Sequence, residues 1–116
     1  MPEIVLIDEP ISNARLKEIA AQGFGELVKA VVDIDKGLMA VGGELHGDEE
    51  AWLLDQGSQQ ANLWGINIYP DVARPDGLEF DSMINIRPSQ NNSSRSVENM
   101  AVRDKINAIV KKLIQD

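Results

Sequence analysis

The stretch LVKAVVDIDKGLMAVGG, residues 27–43, restricts the fold more than any other part of this chain. Two apolar runs rich in branched residues, 27–34 and 38–43, flank Asp35-Lys36-Gly37. Branched side chains suit an extended, pleated backbone. A short loop with glycine last closes a hairpin, because glycine takes the left-handed conformation without a Cβ penalty. Strands joined this way are antiparallel, so the segment predicts an antiparallel sheet. The same residues mimic a calcium-binding loop, with Asp33, Asp35 and Glu44 at its first, third and twelfth positions. The match fails where the loop is strict: its sixth position, which needs glycine, is Leu38, and its fifth, Gly37, has no side-chain oxygen. The hairpin reading stands.

The remaining elements follow from periodicity and punctuation. Residues 3–7 read as a strand stopped by Pro10, and Ser12 stands where an N-cap belongs. Leu16, Ile19 and Ala20 then recur at helical spacing before Gly23, which gives a helix over 13–22. A second helix is expected over 48–56, with Asp48, Glu49 and Glu50 favoured by the dipole of its first turn and Gly57 as its stop. Residues 64–69 and 78–87 read as strands joined by the turn-rich PDVARPDG. In the second of these, Phe80, Ser82, Ile84 and Ile86 would share one face, and Asp81, Met83, Asn85 and Arg87 the other. Val102, Ile106, Ile109, Val110 and Leu113 mark a last amphipathic helix with Asn99 as N-cap. The order is β-α-β-β-α-β-β-α, an α+β fold in one domain over 1–116, with a mostly antiparallel sheet of about five strands and three helices on one face.

Charge and composition narrow the function classes. A net charge of −8 argues against general nucleic-acid binding, which draws on cationic surface facing phosphates. No apolar run approaches the roughly 20 residues of a membrane span, the acidic start MPEIVLIDEP does not read as a signal peptide, and there is no cysteine. A cytoplasmic location is the expectation. The charges are segregated: residues 44–50 carry Glu44, Asp48, Glu49 and Glu50, whereas INIRPSQNNSSRS, 84–96, carries Arg87 and Arg95 and no acid.

Two candidate sites arise from that segregation. In the first, Glu44, His46 and Asp48 alternate, so an extended segment would turn all three to one face, and Glu50 could join them. One imidazole and several carboxylates would suit a divalent metal ion, and His46, the single histidine, with Glu44 would suit proton transfer. The competing reading is a helix start whose acids complement the dipole. In the second, Asn85, Arg87, Asn92, Ser94 and Arg95 approach the start of the last helix, where free N–H groups and partial positive charge favour a small anion. Arginine forks suit phosphate or carboxylate. Glutamine at positions 87 and 95 should then abolish binding and leave the melting temperature nearly unchanged. The competing reading is a polar surface loop whose arginines pair with Asp81 or Glu98. Trp52, Trp64 and Tyr69 read as packing residues.

The segments GGELHGDEEAWLLDQGSQQANLWGINIYP and FDSMINIRPSQNNSSRSVEN resemble an uncharacterised family of small microbial single-domain proteins, a domain of unknown function, over nearly the whole chain. Gly47 departs from the family pattern, where alanine is usual. The resemblance implies a compact domain and no activity, cofactor or site residue. Whether the chain is an enzyme is left open by its sequence. The leading expectation is a site joining 44–50 to 84–96 that binds a small anionic ligand. The rival is a non-enzymatic interaction module that binds a protein partner or self-associates through an open strand edge. A metal-dependent hydrolase using Glu44, His46 and Asp48 is third.

Overall fold

The structure, a computed structural model, describes residues 3–116. Met1 and Pro2, which open the acidic N-terminal stretch, lie outside the described residues. Strand β1 (Val5–Ile7) is followed by β2 (Ile11–Ser12) and helix α1 (Asn13–Ala21), then by the hairpin strands β3 (Val28–Asp33) and β4 (Leu38–Val41). Helix α2 (His46–Asp55) leads to β5 (Leu63–Ile68), β6 (Leu78–Glu79), helix α3 (Met100–Leu113) and β7 (Ile114–Gln115). The main sheet has the order β1-β4-β3-β5-β6, and every pairing in it is antiparallel, as the hairpin required. β2 and β7 form a separate parallel pair that joins the two ends of the chain.

Local signals placed most of these elements. The Ser12 hydroxyl accepts the Arg15 N–H at 3.0 Å, and Asn99 Oδ1 accepts from Ala101 and Val102, so both predicted N-caps hold. Gly37 takes a φ of 70° in the hairpin loop. The loop is pinned from inside by Asp33, whose Oδ1 accepts the N–H groups of Asp35 and Lys36 at 2.9 Å while Oδ2 takes the Ser58 hydroxyl. The carboxylate that resembled a calcium ligand is thus a turn staple.

Alternation along the strands divides the apolar residues between two faces. Val28, Ala30 and Val32 of β3, with Met39, Val41, Ile66 and Ile68, meet Leu16 and Ile19 of α1 and Ile106, Val110 and Leu113 of α3. Val31, Ala40 and Leu63 meet Leu53 of α2 on the opposite side. Helices therefore cover both faces, which corrects the one-face expectation. The pattern allows this because β3 is apolar at nearly every position, the signature of a strand buried twice.

The strand expected over 78–87 is also corrected. It pairs with β5 only at Leu78 and Glu79, and a single 3-10 turn follows at Met83–Asn85. Beyond Ile66, in the direction of Leu63, β5 has no neighbouring strand on that side. Its edge there is occupied by one side chain: Asn85 Oδ1 accepts the Gly65 N–H at 2.8 Å, and Asn85 Nδ2 donates to the Gly65 carbonyl at 3.0 Å. The amide reproduces the pair of bonds a strand residue would make. Residue 65 has to be glycine for this closeness, since a Cβ there would lie 2.5 Å from the Ser82 side chain.

Candidate functional site

The polar segment 84–96 is a folded unit tied to itself and to the sheet edge. Arg87 and Asn92 form an isolated antiparallel bridge, closed by Asn91 in the left-handed conformation. Asn92 is buried; its Nδ2 donates to the carbonyls of Asn85, Ser94 and Ser96, and its Oδ1 accepts the Glu98 N–H. Ser93 N–H, Ser94 N–H and the Ser94 hydroxyl all donate to Glu98 Oε2, at 3.1, 2.9 and 2.7 Å. The anion that these donors hold is the chain's own carboxylate. Those bonds, the hydroxyl's first, pull the Glu98 carboxyl below its ordinary value. Asn99 caps the N-terminus of α3 from within in the same way.

Arg87 is likewise engaged. It is 8% exposed and lies over the Trp64 ring, 4.5 Å from the centroid. Its guanidinium donates to the carbonyls of Ile84, Gln60 and Leu63 and to Gln90 Oε1, and the Glu50 carboxylate stands 3.9 Å away. Burial pulls its pKa below the usual arginine range, and the Glu50 charge acts against that shift. Arg95 instead pairs with Asp81 at 2.6 Å on the surface. The two arginines thus have separate partners, Glu50 for Arg87 and Asp81 for Arg95.

The 44–50 segment also turns its side chains differently from the extended reading. α2 begins at His46, two residues earlier than expected, so His46 and Asp48 are splayed by about 200° around the axis at roughly 100° per residue. Among the described residues, no three His, Asp or Glu side chains come together in a way that could hold a metal ion. Glu49, not Glu44 or Glu50, is the acid fully enclosed. Its Oε2 accepts the Gly43 N–H at 2.9 Å, while Oε1 is buried with no partner. Desolvation pushes its pKa up to about 9, against the pull of the Gly43 bond and of Lys29, so the carboxyl is neutral at pH 7.

Even so, the two segments meet. A cleft of about 300 Å³ between the start of α2 and the chain after β6 is lined by Lys29, His46, Asn67, Asp81, Ser82 and Arg95, with Leu45 and Met83 on its rim. His46 Nε2 lies 2.7 Å from the Ile66 carbonyl, which can only accept, so Nε2 carries the proton and Nδ1 keeps a lone pair. Burial holds this imidazole below its ordinary pKa, with Lys29 and Arg95 adding to the effect and the Ile66 bond opposing it. Asn67 Nδ2 donates to Glu79 Oε1 at 2.8 Å, but Asn67 Oδ1 is buried and unpartnered. The cleft thus combines two cations, one carboxylate, a neutral imidazole and an amide acceptor with no donor.

A model for a family described as "Protein of unknown function (DUF5674)" matches residues 5–113, nearly the whole chain. The chain belongs to that family. No curated protein and no solved structure matches it. Of the predicted site residues, the cleft holds His46 and Arg95. Glu44 lines a different hollow, beside Gly43 and Phe24, while Asn85, Arg87 and Asn92 are bonded within the fold. Lys29 and Asn67 escaped the sequence reading. Their signal was present, since each interrupts a run of apolar strand residues, and they sit opposite each other in the sheet.

Proposed function

We propose that this protein binds a small anionic ligand, a phosphate- or carboxylate-bearing molecule, in the cleft between the start of α2 and the chain after β6. The observation that carries the reading is the placing of Lys29 and Arg95 around the unpartnered Asn67 acceptor in a negatively charged protein. Cations would take the anionic group, and Asn67 Oδ1 and His46 Nδ1 would take hydroxyl or amine protons of the same molecule. Binding would draw Arg95 from its exposed pair with Asp81, a pair worth at most about 1 kcal/mol. His46 is the group suited to accept a proton, because it is neutral with a free lone pair at pH 7.

Amide spectra titrated with inorganic phosphate and with hydroxylated phosphate monoesters test the reading. Saturable shifts are expected at Lys29, His46 and Arg95, larger for the monoesters. Lys29→Gln and Arg95→Gln should each weaken binding on the order of tenfold, the worth of a charge-assisted hydrogen bond. No movement at millimolar ligand would exclude binding tighter than about −4 kcal/mol and reject the proposal. A second reading draws on the rim, where Leu45 and Met83 are 58% and 65% exposed. A protein partner or second copy would cover them, and light scattering of a Leu45→Glu, Met83→Glu variant against the parent chain would then show a lower mass for the variant.

A further inference from the structure

A larger cleft lies elsewhere on the domain. It measures about 710 Å³, more than twice the His46 cleft, and shares no lining residue with it. It opens between the loop that joins β5 to β6 and the last turns of α3 with β7. Leu78, Val110 and Ile114, all nearly buried, give it an apolar base, and Val72 and the ring of Pro75 extend that surface outward.

The loop wall is built and held. Val72 N–H donates to the Tyr69 carbonyl, Gly77 N–H to Ala73 and Leu78 N–H to Pro75, each at 3.0 Å. Gly77 leaves no space for a side chain, since a Cβ would lie 2.2 Å from the Val72 carbonyl oxygen. From α1, Asn13 Nδ2 donates to the Pro70 carbonyl at 2.8 Å, and Lys17 pairs with Asp71 at 3.0 Å. The same Asn13 accepts from Arg74 Nη2 at 3.3 Å, which positions the guanidinium in the cleft wall. Lys111 stands on the facing element, α3. Neither cation is in an ion pair among the described residues; the pairs there involve Arg15, Lys17, Arg87 and Arg95. Asp116 supplies the one carboxylate side chain of the lining.

A preset guanidinium, a facing ammonium and an apolar base form the complement of one ligand type. We propose that this cleft is a second binding site, independent of the His46 cleft, for an amphipathic carboxylate. The carboxylate group lies between Arg74 and Lys111, and a short alkyl or aryl body covers Leu78, Val110 and Ile114. The volume falls within the range of sites that enclose a small organic molecule, about 300–1,000 Å³. Arginine binds a carboxylate through two parallel bonds, and a guanidinium already held by Asn13 loses less freedom in doing so.

The test uses the full chain and four probes: octanoate, benzoate, 1-octanol and inorganic phosphate. Octanoate or benzoate is expected to give saturable amide shifts at Val72, Arg74, Lys111 and Ile114, and the tighter of the two identifies the body as alkyl or aryl. 1-Octanol should bind about tenfold more weakly than octanoate for want of the charge-assisted bonds. Phosphate should leave these residues unmoved, since it has no body for the apolar base. R74Q and K111Q should each weaken carboxylate binding by a similar factor, while K29Q leaves it unchanged. The Lys111 side chain is exposed and makes no hydrogen bond among the described residues, so K111Q reports on binding even if R74Q loosens the loop. Equal binding of octanol and octanoate, or affinity unaltered by K111Q, would overturn the anionic part of the proposal. The absence of saturable shifts with either carboxylate at millimolar concentration would overturn the site.

Discussion

Arg87→Ala will lower the stability of the fold by about 3–5 kcal/mol, the usual cost of leaving one member of a buried charged pair behind. The arginine donates to the carbonyls of Ile84, Gln60 and Leu63, lies on the Trp64 ring and faces the partly buried Glu50 carboxylate. Alanine removes the cation that faces Glu50 and strands carbonyl acceptors at the edge of β5. In a thermal melt the loss would be on the order of 10–20 °C for a domain of this size. Glutamine and lysine should rescue little, because neither reproduces a planar fork that bonds in several directions while lying on an indole. This reverses the expectation from sequence that glutamine at position 87 would spare the melting temperature. Arg95→Gln serves as the contrast: its pair with Asp81 is exposed, and its removal should cost at most about 1 kcal/mol. A change of less than about 1 kcal/mol in the Arg87 variant would mean that water or backbone adjustment replaces its bonds, and the structural role assigned here would fail.

The protein should also lose stability as the solution becomes alkaline, and Glu49→Gln should remove that dependence. The Glu49 carboxyl has a folded pKa of about 9 against an ordinary value of 4.5, because burial opposes its ionisation. The folded chain therefore holds a proton that the unfolded chain releases. The stabilisation is complete below about pH 4.5, declines as pH rises and is gone above about 9, with a slope of up to about 1.4 kcal/mol per pH unit. His46 has the opposite sign. Its folded pKa lies below 6.5, so below that pH the unfolded chain takes up a proton that the folded chain refuses, and stability rises with pH there. Just below 6.5 the His46 slope opposes that of Glu49, and between about 6.5 and 9 the decline due to Glu49 stands alone. Glutamine keeps an acceptor for the Gly43 N–H but has nothing to ionise. Its unpartnered amide nitrogen adds a cost of about 1–3 kcal/mol that does not vary with pH. Urea melts at half-unit steps from pH 5 to 9.5 would show the parent falling while the variant does not, so that the variant overtakes the parent as pH rises. If the variant kept the parent slope above pH 7, Glu49 would not be its source.

Which features were legible in the sequence depends on the range of the interactions that set them. The Ser12 and Asn99 caps and the 33–38 hairpin rest on bonds within four residues, and each was placed from its own neighbourhood. The misreading of 78–87 has a different origin. Its alternation of polar and apolar residues was genuine, but Asn85 and Arg87 follow bonds to Gly65 and Leu63, 20 and 24 positions away. No local propensity encodes such a partner. The charge segregation between 44–50 and 84–96 did signal that these segments belong together, and both His46 and Arg95 line the cleft. The donors of the polar loop, however, carried no mark of which acceptor they would meet. Glu98 and the carbonyls of Asn85, Ser94 and Ser96 were as near in sequence as any ligand could be in solution, and they took them.

The single amide that completes the edge of β5 bears on how the protein keeps its chains apart. LWGINI, residues 63–68, is apolar, free of charge and proline, and rich in strand-forming residues. Those are the properties of segments that assemble into fibrils once a row of backbone groups is open to another molecule. Elsewhere such rims are guarded by charge, by a bulge or by a covering helix. Here the guard over Gly65 is one asparagine side chain, with Arg87 next to it on the Leu63 carbonyl. Position 85 is therefore expected to bear on solubility as well as folding: a chain that lost its amide would open the Gly65 backbone groups of an uncharged strand to its neighbours.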